Sequence, residues 1–164
     1  MQPYVEKFIS TSPFLSLLSP DIPKKLAHLR ETYDIHLVTA WPDRWSEDRI
    51  KNLAALGIVY DTIHFITPPP PPPAVLGSGV KQPDKVTSGK LSAVKLLQPV
   101  AVVEDKPSTI REISAEGYHL FAPRQWNYVQ AAFPPGERHE RIELYSNWDE
   151  LIYFIERLQK GNKH

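Results

Sequence analysis

Along this chain, stretches with apolar residues every three or four positions alternate with short unbroken apolar runs. Tyr4, Val5, Phe8 and Ile9 read as the end of a helix, followed by a loop from Pro13 to Pro20 that carries Phe14, Leu15, Leu17 and Leu18. Ile22, Leu26 and Leu29 then repeat at helical spacing, with Pro23 tolerable in a first turn. The run Ile35-His36-Leu37-Val38-Thr39 predicts a buried strand. A second helix is expected from Ser46 as N-cap, with Glu47 and Asp48 in its first turn, Ile50, Leu53, Ala54 and Leu56 as its apolar face and Gly57 as its stop. Thr62-Ile63-His64-Phe65-Ile66 predicts the next strand. Beyond a long irregular stretch, Leu91, Val94 and Leu97 mark a helix and Val100-Ala101-Val102-Val103 a third strand. Pro107 suits the first position of a helix bearing Ile110 and Ile113 and ending at Gly117. Tyr118-His119-Leu120-Phe121 predicts a fourth strand, residues 122–141 read as irregular, and Arg141-Ile142-Glu143-Leu144 as a last strand. Ser146-Asn147-Trp148-Asp149 resembles a capping box, and Leu151, Ile152, Ile155 and Leu158 make the closing helix amphipathic.

Strands separated by single helices imply right-handed crossovers and a mainly parallel sheet covered on both faces. The 164 residues suit one domain spanning 1–164, interrupted by a Pro-rich loop at 67–89. Hydrophobic residues at 41% and charged ones at 23% give enough apolar surface for a packed core. Lys plus Arg and Asp plus Glu both number 19, which argues against a chain that coats nucleic acid or anionic lipid. Cysteine is absent, so disulfides, thiolate metal sites and a Cys nucleophile are excluded. No apolar run approaches the roughly 20 residues of a membrane helix, and Met1 to Ser10 shows no secretion signal; a cytoplasmic protein is expected.

Ligands of parallel sheets bind beyond the carboxyl ends of the strands. Strand one ends in Thr39-Ala40, a hydroxyl and fresh amides able to hold a phosphate oxygen or simply to end a strand. Strand three ends in Glu104-Asp105-Lys106-Pro107, whose adjacent carboxylates suit Mg²⁺, although Asp105 could equally cap the helix at Pro107. Lys90 opens the preceding helix and could neutralise a phosphate, with Lys81, Lys85 and Lys95 as rivals.

In that order, Thr39, a lysine and the acidic pair resemble motifs two, three and four of the haloacid dehalogenase-like phosphohydrolases, and within them the 5'(3')-deoxyribonucleotidase-like group. Val102-Val103-Glu104-Asp105-Lys106-Pro107 is similar to the acidic motif, Leu120-Phe121-Ala122-Pro123-Arg124-Gln125-Trp126-Asn127 to the loop after it, and Tyr145-Ser146-Asn147-Trp148-Asp149-Glu150 to the final strand-to-helix turn. The similarity runs over about residues 14–158. It implies a three-layer Rossmann-like fold and Mg²⁺-dependent hydrolysis of phosphate monoesters of the 5'-nucleotide type. In this family an aspartate attacks phosphorus, while the metal, a lysine and backbone amides neutralise the growing charge. Carried over, Thr39 and the Ala40 amide bind the phosphoryl group. Lys90 pairs with phosphate and nucleophile as a catalytic residue, and Glu104 or Asp105 holds Mg²⁺.

The chain departs from the family in one respect that matters for chemistry: no Asp-x-Asp occurs in it. The expectation is therefore a sheet lacking its first strand, with exposed edges that favour a homo-oligomer. The alternative to an enzyme is a non-catalytic relative that binds a phosphorylated ligand, such as a nucleoside monophosphate, or acts as a protein-interaction domain. Pro68 to Pro73 must form polyproline II and reads as a stiff spacer rather than a docking motif for a polyproline-binding partner. The six histidines show no metal-ligand spacing, and His36 and His64 read as packed or hydrogen-bonded within strands. Trp41, Trp45 and Trp126 near strand ends read as core or rim residues before base-stacking ones.

Overall fold

A computed structural model describes residues 19–40, 45–66, 89–134 and 139–161. The expected N-terminal helix end and the Phe14–Leu18 patch, Trp41, the proline run, Lys81 and Lys85 lie outside these residues. The chain is mixed α/β with parallel strands and divides into two compact units, Met1–Thr67 and Pro68–His164. No described helix is long and apolar enough to cross a membrane.

In the first unit, α1 (Ile22–Arg30) precedes β1 (His36–Thr39), α2 (Ser46–Ala55) and β2 (Thr62–Phe65). The strands pair in parallel from His36↔Thr62 to Thr39↔Phe65, as a strand–helix–strand crossover requires. Asp61 fixes where that pairing begins. Its Oδ1 accepts from Arg30 Nε and Nη2 at 2.9 and 2.7 Å, and its Oδ2 from the Ile35 amide at 2.8 Å. These donors hold its carboxyl below the usual range, Arg30 first. The helices bury Ile22 and Leu29 from α1 and Leu53 from α2, but Ile50 and Ala54, expected on the apolar face of α2, are exposed, and Asn52 is buried beside Leu53. The start of α2 differs from expectation: Trp45 occupies the N-cap position without a side-chain cap, and Ser46 is the first helical residue. Its end is as read, because Gly57 adopts φ +68°, a conformation cheap only for glycine.

The second unit runs α3 (Gly89–Leu97), β3 (Val102–Val103), α4 (Pro107–Ala115), β4 (Leu120–Pro123), α5 (Asn127–Ala132), β5 (Ile142–Tyr145) and α6 (Trp148–Gly161). The three strands form a parallel sheet in the order β3-β4-β5. The central strand β4 is buried at every position, which explains its unbroken apolar Leu-Phe-Ala-Pro. Leu91 and Val94 of α3, Ile110 and Ile113 of α4, Leu120 and Ala122 of β4, and Val129 and Phe133 form the core. Pro107 stands at the start of α4 as expected, and Gly117 leaves that helix at φ +91°.

Several local readings shift: β3 is confined to Val102–Val103, with Val100 exposed rather than opening the strand, and β5 runs Ile142–Tyr145, one residue on from Arg141–Leu144. Strand β4 begins at Leu120, two residues later than expected, with Tyr118 and His119 serving as its approach from Gly117. Within the stretch read as irregular, Asn127–Ala132 forms α5, a single short helix without a side-chain cap that seats Val129 in the core. The cap also sits one residue on, at Asn147, and Glu150 reaches back past it to Ser146. Asn147 Oδ1 accepts from the Glu150 amide at 3.0 Å, and Glu150 Oε2 accepts from the Ser146 amide at 2.6 Å. Asn147→Ala removes a side-chain bond to that first turn and is expected to cost about 1 kcal/mol in urea unfolding. An unchanged midpoint would contradict this cap assignment.

Candidate functional site at the carboxyl rim of the second sheet

The ladder of the second sheet runs one residue beyond its strands. The Glu104 amide donates to Phe121 O at 3.1 Å and the Arg124 amide to Tyr145 O at 2.8 Å. Glu104, Arg124 and Ser146 thereby stand along one rim, where parallel strands end and helices begin.

Glu104 anchors this rim. It is 8% exposed, and each of its oxygens has a donor. Oε1 accepts from the amides of Asp105 and Lys106 at 3.1 and 3.0 Å, and Oε2 from Lys90 Nζ at 2.5 Å. The amides belong to the turn that opens α4, where a carboxylate also meets the positive end of the helix dipole. A buried polar group needs such partners to offset the water it has lost. Lys90 comes from the first turn of α3 and keeps a quarter of its side chain exposed, so its ammonium faces Glu104 on one side and solvent on another.

Asp105, the next residue, stands differently. Its Oδ2 accepts from the Tyr128 hydroxyl at 2.7 Å. Tyr128 lies on α5, is about half exposed and packs beside Trp126 with ring centres 5.5 Å apart. Desolvation, the bond to Asp105 and the charges of Asp105 and Glu104 push the Tyr128 phenol up to about 12. Tyr145, buried at the end of β5, is also pushed up to about 12, by burial and then by the Asp105 charge.

A phenol whose folded value exceeds the unfolded one contributes stability that is whole below about pH 10 and is lost as pH rises toward 12. The urea midpoint is therefore expected to fall between about pH 10 and about pH 12, and Tyr145→Phe to remove part of that fall. A midpoint flat across this window would contradict the burial of that phenol against Asp105.

Lys90, Glu104 and Asp105 are thus brought together within the second unit. The rival Lys95 pairs instead with Glu116 at 2.8 Å. Thr39 and Ala40 end β1 in the first unit, where Thr39 is half-buried and its carbonyl accepts from the Ile66 amide at 2.9 Å. Trp126 packs partly buried against the core, as a rim residue. The sequence reading did not single out Tyr128 or assign a role to Tyr145. Their places just past β4 and at the end of β5 were the available signal.

For a divalent cation the two carboxylates are not equivalent. Glu104 already has the Lys90 ammonium on Oε2 and two amides on Oε1, which leaves it one unused acceptor position, on Oε2. Asp105 has Tyr128 on Oδ2 alone and suits a hard cation that takes its remaining ligands from water and phosphate. Among the described residues no three His, Asp or Glu side chains gather as a protein-built cage. Comparison with protein-family models, with curated proteins and with solved structures gives no match.

Proposed function

We propose that the chain is a haloacid dehalogenase-like domain of the three-layer Rossmann-like kind that handles phosphate monoesters of the 5'-nucleotide type together with Mg²⁺. The observation that carries the reading is the Lys90 ammonium held 2.5 Å from buried Glu104 at the carboxyl rim of a parallel sheet. An ammonium has three N–H donors, of which Glu104 takes one, so a phosphate oxygen can meet the others. Glu104 orients that ammonium. Asp105 offers the carboxylate for Mg²⁺, with Tyr128 fixing its other oxygen. When bound, Mg²⁺ supplies charge neutralisation at the phosphoryl oxygens. For Thr39 and Ala40 the assignment to phosphate rests on the resemblance alone.

A second reading, a non-catalytic domain that binds the same phosphorylated ligand, is favoured by one specific observation: the 164 residues contain no Asp-x-Asp to supply the attacking carboxylate. Phosphate release from deoxynucleoside monophosphates, with and without Mg²⁺, separates the two. Mg²⁺-dependent release that falls at least about a hundredfold in both Lys90→Ala and Asp105→Asn supports the hydrolase. Binding without release supports the non-catalytic domain. Neither binding nor release from folded protein overturns both.

A further inference from the structure

We infer that the first unit carries a surface site for a divalent transition-metal ion of the Zn²⁺ class, formed by His36 of β1 and His64 of β2. The rings are 28 positions apart in sequence, but parallel pairing sets His36 directly opposite Thr62, and His64 is the next residue on the same face of β2. Both rings aim at one atom: His36 Nδ1 lies 2.7 Å from Thr62 Oγ1, and His64 Nε2 lies 2.9 Å from the same oxygen. Two imidazole nitrogens converging on a single point at a half-exposed surface are the donor arrangement that Zn²⁺, Cu²⁺ or Ni²⁺ takes.

The Thr62 hydroxyl has one proton and can donate to only one ring, so at least one of the two ring nitrogens that face it carries a proton. Metal binding needs a lone pair on both. It therefore costs at least one tautomer change and a turn of the exposed Thr62 side chain away from the shared point. The geometry is close to what a shared ion demands. Two imidazoles on one Zn²⁺, at Zn–N of about 2.0–2.1 Å, set their ring centres roughly 5–5.5 Å apart. Here the centres are 6.3 Å apart with the planes 57° from parallel, so an approach of about 1 Å, spread over two side chains, closes the pair. Solvent completes the shell. Neighbouring Asp61 is no ligand, because Arg30 and the Ile35 amide engage both its oxygens. The site is independent of the phosphate chemistry proposed for the second unit.

Titration of the full chain, without an affinity tag, with Zn²⁺ alone tests this by calorimetry. One saturable equivalent is expected, weakened about tenfold or more in His36→Ala and in His64→Ala. Affinity should stay within about threefold in Thr62→Val and in His28→Ala, whose ring lies on α1. In the wild-type chain the imidazole NMR signals of His36 and His64 should shift together on adding Zn²⁺, which reads the site without relying on any variant's folding. No saturable equivalent, or one insensitive to both histidine replacements, or signals of the two rings unmoved by Zn²⁺, would overturn the site.

Discussion

Replacing Glu104 with alanine is expected to lower the unfolding free energy of the second unit by roughly 2–4 kcal/mol. The carboxylate is 8% exposed and accepts from Lys90 and from two amides at the mouth of α4. Truncation leaves those three donors unanswered at once. Lys90, with a quarter of its side chain in solvent, recovers part of its loss by hydration, which sets the loss at the lower end of the range for a broken buried pair. Glu104→Gln keeps an oxygen for the amides but turns an amide nitrogen toward the ammonium or away from it, so it should cost less than the alanine and more than a surface change. In a double-mutant cycle with Lys90→Ala, the coupling is expected to be about 1 kcal/mol or more. A Glu104→Ala variant as stable as the wild type in urea would contradict the description of this carboxylate as the anchor of the rim.

Phe121→Ala carries the largest expected loss, roughly 3–5 kcal/mol. The ring is 1% exposed on the central strand β4 and stacks on Phe154 of α6 with centres 6.0 Å apart. Removing it opens a cavity between strand and helix, whose cost adds to the lost burial of the ring. The Phe121 carbonyl, which accepts from the Glu104 amide, is backbone and remains. The loss should therefore scale with side-chain volume, with Phe121→Leu well below Phe121→Ala. Equal losses from both would mean that register, rather than packing, is disturbed.

The alternation of helix and strand was legible because each run of β-branched and apolar residues is flanked by a stop signal with a physical cause. Gly57 and Gly117 leave helices at positive φ, and Pro107 starts one where no amide is needed. The misreadings have equally local causes. Tyr118-His119 carries strand-like composition but serves as the approach to β4, and α5 is too short and uncapped to announce itself between Pro123 and Pro134. Of the candidate residues, Glu104 and Asp105 stood out because they follow a strand end in a parallel sheet, and Lys90 because it opens the helix before that strand. The sequence did not reveal the division of labour between the two carboxylates, since only folding turns Glu104 inward to Lys90 and leaves Asp105 to Tyr128. Nor could spacing along the chain bring His36 and His64 to one hydroxyl, because that juxtaposition depends on strand register.

The phosphate reading is tested most directly by calorimetric titration of the wild-type chain with a deoxynucleoside monophosphate in the presence of Mg²⁺, beside Lys90→Ala and Asp105→Asn. Saturable binding is expected, weakened at least about tenfold by loss of the Lys90 ammonium and made insensitive to Mg²⁺ in Asp105→Asn. Binding that is absent in the folded wild-type protein, or unchanged in both variants, would contradict it.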